Sequence, residues 1–241
     1  MSKNKKIAMR VAIMMLAVSV TSCKRKAQTS AGAELKTKAH ELAQKYIIVD
    51  THQDTPYRLQ KKMEDISRRT EAGDFDYIRA KQGGLNAVFT AVYVPAEYEE
   101  EGGARGFADE TIDMIEGLAE THPHKFAIAR SISDIRKQFR QGRISLAMAI
   151  ENGSPIEGNL ANLKYFYDRG IRYITLVHSK NNHICDSSFD EEPKWNGLSP
   201  FGEQVVSEMN RLGMIIDVSH VSDQAFYQII ELSKAPVVAT H

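Results

Sequence analysis

Short apolar runs of strand length recur along the chain: Tyr46 to Thr51, Leu85 to Val94, Ile144 to Ile150, Ile171 to Val177, Met214 to Val218 and Pro236 to Thr240. Each is apolar throughout rather than at alternate positions, the pattern of a strand buried on both faces in a parallel sheet that helices cover. Between them lie segments of helical spacing, Asp109 to Glu120, Asn159 to Arg169, Glu203 to Leu212 and Asp223 to Leu232, and a further helix is predicted from Ala33 to Tyr46. Gly170 and Gly213 stand just past two of these helices, where a left-handed residue ends the helix before the next strand. The order βαβα, with no internal repeat, predicts one α/β domain.

Polar side chains capable of metal or acid chemistry terminate these runs. His52 and Asp54 follow the first, Glu151 the third, His178 the fourth, His220 the fifth and His241 the sixth. Four of the eight histidines therefore occupy the same kind of place. In a (β/α)₈ barrel all strand C-termini open on one face, so side chains distant in sequence converge there. The expected fold is a TIM-like (β/α)₈ barrel, cut short after its sixth strand. An open sheet of that kind exposes two edges and part of its core.

Composition narrows the choice further. At 241 residues, 42% hydrophobic and 26% charged, the chain has the make-up of an ordinary globular protein. Lys plus Arg equals Asp plus Glu at 31 each, so the basic excess of a nucleic-acid-binding protein is lacking. Residues 1–23 read as a signal peptide, with Lys3, Lys5, Lys6 and Arg10 ahead of the apolar run Val11 to Val20. As a helix that run spans roughly 15 Å, half a bilayer core. Val20-Thr21-Ser22-Cys23 resembles the bacterial lipobox, which implies lipidation of Cys23 and a membrane anchor in the cell envelope, facing the periplasm or the cell surface. Residues 24–37 are polar and read as a tether; 38–241 form the partial barrel. With Cys23 lipidated, Cys185 has no partner for a bridge within the chain and is expected as a loop or buried thiol.

His52-Gln53-Asp54 sets an imidazole and a carboxylate at i and i+2, one face of an extended strand, a donor pair suited to zinc. Glu151, ending an otherwise apolar strand, needs a cation or strong hydrogen bonds if buried, or else caps the Asn152-Gly153 turn. Asp217-Val218-Ser219-His220 and Ala239-Thr240-His241 each deliver a histidine through a short apolar strand. One His-x-Asp pair, one glutamate and two histidines can hold two ions if the glutamate bridges them. Paired ions make hydroxide available from a shared water at neutral pH and polarise the carbonyl it attacks, which is hydrolytic chemistry. His40, His122, His124 and His183 match no ligand pattern and are expected on the surface or in loops.

The segments Val49-Asp50-Thr51-His52-Gln53-Asp54-Thr55-Pro56, Gly197-Leu198-Ser199-Pro200-Phe201-Gly202-Glu203 and Met209 to His220 resemble the membrane (renal-type) dipeptidases, peptidase family M19, and the likeness covers about residues 40 to 241. The resemblance implies a TIM-like barrel with two zinc ions that cleaves dipeptides having free amino and carboxyl ends. It makes His52 and Asp54 ligands of the first zinc, Glu151 the bridge, and His220 and His241 ligands of the second. His178, in Thr175-Leu176-Val177-His178-Ser179, matches the family histidine that contacts the substrate carbonyl and stabilises the tetrahedral intermediate. The family continues through two more strands, which supply an arginine for the substrate carboxylate and an aspartate that handles protons. A homodimer is the family's common assembly and remains open here, as do the substrate's side chains and the loading of manganese or cobalt instead of zinc. Two other readings also stay open: another two-metal amidohydrolase, and an envelope lipoprotein that binds without catalysis.

Overall fold

A computed structural model describes residues 32–241. The expected signal peptide, Cys23 and the start of the tether lie outside the described residues. Helix α1 spans 32–45 and belongs to a unit of its own, separate from the body Ile47–His241. The last six residues of the expected tether, 32–37, are therefore helical. Their Ala, Glu, Leu and Lys are good helix formers, and the helix agrees with the one predicted from Ala33 to Tyr46, which overlaps the expected tether.

The body contains β1 (Ile48–Gln53), α2 (Thr55–Lys61), α3 (Tyr77–Gly83), β2 (Leu85–Tyr93), α4 (Tyr98–Glu101), α5 (Ala104–Thr121), β3 (Phe126–Ile128), α6 (Ile132–Arg140), β4 (Ile144–Glu151), α7 (Ala161–Arg169), β5 (Ile171–Thr175), α8 (Pro200–Leu212), β6 (Ile215–Asp217) and α9 (Asp223–Leu232). The strands run parallel in the order β1-β2-β4-β5-β6, with β3 alongside the start of β4. Spatial order following chain order is the signature of a barrel rather than of a doubly wound sheet. All eight residues of β4 are buried, as its unbroken apolar sequence requires at the centre of a covered sheet.

Helices are started and stopped by the residues that sequence logic expects. The side chains of Ser131, Ser199 and Ser222 accept hydrogen bonds from the backbone N–H of Asp134, Gly202 and Ala225, capping α6, α8 and α9. Gly170 and Gly213 take φ of 108° and 74° at the ends of α7 and α8, a region closed to most side chains. The apolar faces Ala108, Ile112 and Ile115 of α5, and Val205, Val206 and Met209 of α8, lie buried in one core with Ile144, Met148, Ile150 and Ile174 of the sheet.

Hydrogen bonds between remote strands roll the sheet. Laid flat, the chain segment paired beyond β6 would sit five strand spacings from β1, about 24 Å. Instead the Thr51 hydroxyl donates to the Thr240 carbonyl at 3.3 Å, and Tyr173 of β5 reaches across to the Thr51 carbonyl. The result is a half-barrel of parallel strands, the partial TIM-like barrel that the sequence predicts.

Three expectations are corrected. The sixth apolar run is not a full strand: Val238 makes only an isolated parallel bridge with Asp217, through hydrogen bonds to Val218 and Ile216. Strand β3 is not predicted by the apolar pattern, because three residues are too few to carry a period. His52 lies inside β1, while Asp54 leaves the extended conformation at φ −89°, ψ 20° as the N-cap residue of α2, so a turn rather than strand alternation brings the two together. Ile48 and Val49 are 38% and 41% exposed, in keeping with the open edge expected there.

Candidate metal centre

Glu151 closes β4 and is 3% exposed. Around its carboxylate the fold gathers every histidine singled out at a strand end. His52 Nε2 stands 3.3 Å from Oε2; His220, His241 and His178 set their Nε2 atoms 3.2, 3.3 and 3.6 Å from Oε1. Asp54 Oδ1 lies 3.4 Å from His52 Nε2 on the solvent side. The rings of His52 and His241 are 4.0 Å apart, those of His220 and His241 4.3 Å, and those of His178 and His220 4.6 Å.

This convergence is poor hydrogen bonding and good ligand geometry. Three imidazoles aim at a single carboxylate oxygen, and buried His52 Nε2 has no hydrogen-bond partner of acceptable angle. Two sets of donor atoms lie close enough to share an ion, His52, Glu151 and His241 in one and Glu151, His178 and His220 in the other, with Glu151 common to both. Imidazole nitrogens with carboxylate oxygens suit zinc and its neighbours in the first transition row, and the residues fit a pair of such ions.

The electrostatics of the cluster follow from burial against mutual attraction. Burial opposes ionisation of Glu151, but the hydrogen bond from His220 and the close approach and charge of His52 outweigh it, leaving the carboxyl at about 2. Burial likewise opposes charging His52, and the adjacent carboxylates of Asp54 and Glu151 reverse the outcome, raising it to about 9. For His178 and His241 burial prevails and both are lowered.

The backbone is strained where it presents these groups. His220 has φ of 69° and Asn152, next to Glu151, 77°. Left-handed conformations at such residues cost about 1–3 kcal/mol and persist where surroundings enforce them. Buried Asp217 does so beside His220. Its Oδ1 accepts from the Ser219 N–H at 3.0 Å, the Ser219 hydroxyl at 2.8 Å and the Thr240 N–H at 3.2 Å; its Oδ2 accepts from the hydroxyls of Thr175 at 2.6 Å and Thr240 at 2.7 Å. One carboxylate thus ties β5, β6 and the 240–241 segment together and fixes His220 relative to His241.

Several contributors escape a reading of the sequence. Asp217 ends an apolar run and is legible only as part of a motif; Tyr173, mid-strand, passes for core; Phe189 sits in the long loop between β5 and α8. Phe189 is 64% exposed, yet its ring lies 6.4 Å from that of His178 and 5.7 Å from that of His220. Tyr93 meets the His178 ring edge-on at 5.0 Å. His183 lies in a loop, as expected, and is tied down there: its N–H and Nδ1 bond Glu99 at 2.7 and 2.9 Å, and the other Glu99 oxygen accepts from Ser154 at 2.7 Å. Cys185 is a buried free thiol, pushed up by that burial, and neither it nor His183 belongs to the two donor sets. A cleft of about 620 Å³ runs from His52 and Asp54 along β1 to Phe75 and Leu85.

Residues 36–241 match the sequence model of the membrane dipeptidase family, peptidase family M19. Dipeptidase tcpJ of Claviceps purpurea is 36% identical over 181 residues, 70% of this chain and 42% of that protein. Dipeptidase 3 of Mus musculus is 31% identical over 218 residues, 86% of this chain and 43% of that protein. The crystal structure of the probable dipeptidase PvdM from Pseudomonas aeruginosa superposes with a TM-score of 0.80 at 28% identity, covering 87% of this chain and 55% of that one. The chain spans about half the length of the curated relatives it matches. Rolled parallel strands, a shared glutamate ringed by strand-end histidines and a sequence match over most of its length together make this chain a member of the membrane dipeptidase family, M19.

Proposed function

We propose that this chain carries the dinuclear zinc centre of a dipeptidase, which hydrolyses the peptide bond of dipeptides with free ends. The observation that carries the reading is the aim of four imidazoles at the two oxygens of one buried carboxylate. Glu151 is assigned as the shared ligand, His52 and Asp54 as the ligands on one side, and His220 and His241 as those on the other. The 3.4 Å approach of Asp54 to His52 supports the first pair; the second rests on the family resemblance, since the His241 ring stands 4.0 Å from that of His52 and 4.3 Å from that of His220, and its donor atom groups with that of His52. When bound, the two ions supply Lewis-acid polarisation of the scissile carbonyl and a water activated at neutral pH.

The remaining work falls to side chains. His178, the histidine farthest from Glu151, is held neutral by burial and has one N–H to offer an oxygen that gains negative charge. Glu151 stays ionised and can hold a cation through both oxygens. Phe189 forms an exposed apolar wall beside His178 and His220, suited to a substrate side chain.

Turnover of a free dipeptide and of its N-acetyl derivative by the zinc-loaded chain tests the reading. Hydrolysis of the first and loss of activity on the second is expected. Equal hydrolysis of both would point to a broader amidohydrolase, and metal uptake without turnover of either would favour a binding role. We also propose envelope attachment through a lipid on Cys23; among the described residues no helix is long and apolar enough to cross a membrane. C23S is expected to release the protein from the membrane fraction, and continued sedimentation with membranes would refute the lipid anchor.

A further inference from the structure

We propose that Tyr173 is a positioning residue that fixes which nitrogen of His52 faces the metal; the proposal deepens the zinc-site reading above and rests on it. Tyr173 lies in the middle of β5, 1% exposed, with its ring 5.0 Å from that of Phe89. Its hydroxyl reaches β1, standing 2.9 Å from the Thr51 carbonyl and 2.8 Å from His52 Nδ1.

Proton counting decides the direction of both bonds. A phenol has one proton, and a carbonyl oxygen only accepts. Tyr173 therefore donates to Thr51, and its oxygen must accept from His52, whose Nδ1 carries the hydrogen. A phenol, ordinarily near 10, keeps that proton at neutral pH. With Nδ1 committed, Nε2 is the nitrogen free to give its lone pair to a cation, and it is the nitrogen aimed at Glu151 and Asp54.

Metal-ligating histidines characteristically donate their second N–H to an oxygen that fixes tautomer and ring orientation. Here the partner is a tyrosine that passes the bond on to a backbone carbonyl of the ligand's own strand. Elsewhere in the site, His178 Nδ1 is buried without a partner, and His241 Nδ1 meets the neighbouring Thr240 hydroxyl at 3.2 Å. Because Thr51 and His52 are consecutive, Tyr173 also holds the end of β1 against β5 across the rolled sheet.

The test is zinc affinity of the chain and of Y173F, measured by competition with a chromophoric chelator that resolves two sites. Y173F keeps the ring and its packing. It is expected to weaken one site about 10–100-fold, the usual effect of removing such a partner, and to leave the other unchanged. Unchanged affinity at both sites, or equal loss at both, overturns the proposal. A second readout needs no variant: long-range ¹H–¹⁵N correlation of the zinc-loaded chain is expected to find His52 protonated at Nδ1 and metallated at Nε2, and metallation at Nδ1 overturns the proposal. Failure of the unsubstituted chain to take up zinc overturns the metal reading itself, and this inference with it, whereas normal uptake with an indifferent Y173F overturns the positioning role alone.

Discussion

Raising the pH from 7 to 9 should strengthen zinc binding while weakening the metal-free fold, and His52 is the cause of both. Its side chain is 7% exposed and its ionisation is raised to about 9 by Asp54 and Glu151 acting against burial. At pH 7 such a group is about 99% charged, where an ordinary histidine near 6.5 is about one quarter charged. Zinc must displace that proton from Nε2. Apparent affinity should therefore climb about tenfold from pH 7 to 8 and less steeply as the pH nears 9, roughly 50-fold or 2.3 kcal/mol over the whole interval.

The metal-free chain runs the other way. A raised histidine contributes stability that is fully present below about 6.5 and is lost as the pH rises through about 9, at most about 3 kcal/mol here. Glu151, lowered to about 2, contributes stability present above 4.5 and lost as the pH falls through 2. The two shifts describe largely one interaction and are counted once. Urea unfolding in chelator from pH 6 to 9.5, with zinc competition over the same range, checks both limbs. Zinc affinity flat between pH 7 and 9, or metal-free stability that rises over that interval, would refute the reasoning.

H178A should lower turnover about 10²–10³-fold, the usual loss for one donor to a developing oxyanion, while zinc content by elemental analysis stays at the unsubstituted level; a parallel loss of zinc would make His178 a ligand. D217N turns an amide N–H toward groups that donate to the carboxylate, and should cost about 3–5 kcal/mol in urea unfolding together with zinc affinity, since His220 and His241 lose their common tie. Glu99 is lowered from 4.5 because bonds from His183 and Ser154 outweigh burial, so its contribution is present above 4.5 and lost as the pH falls through its folded value. E99Q should flatten that acid limb in a series of melting temperatures from pH 3 to 6.

Much of this centre is legible in the sequence because barrel topology turns a one-dimensional rule into a three-dimensional one. A parallel strand buried on both faces is a continuous apolar run, and the polar residue that follows it marks the end facing the site. That rule singles out Glu151, His178, His220 and His241, and the three histidines stand within 3.6 Å of the Glu151 carboxylate. What stayed hidden acts across the sheet or through short elements. Tyr173 is an ordinary aromatic in an apolar run until rolling of the sheet brings β5 opposite β1. Asp217 is one more strand-end acid until five donors are counted around it. The i, i+2 spacing places Asp54 on an extended strand, but the N-terminus of α2 already turns the chain there, with Pro56 in its first turn.

Zinc stoichiometry speaks most directly to whether Glu151 organises a dinuclear centre. The unsubstituted chain and E151Q would each be loaded with zinc, desalted and submitted to elemental analysis. About two ions per unsubstituted chain and almost none in E151Q is the expected result, because a bridging carboxylate serves both positions. Far less than one ion in the unsubstituted chain, or two retained in E151Q, would contradict a dinuclear centre built on that residue.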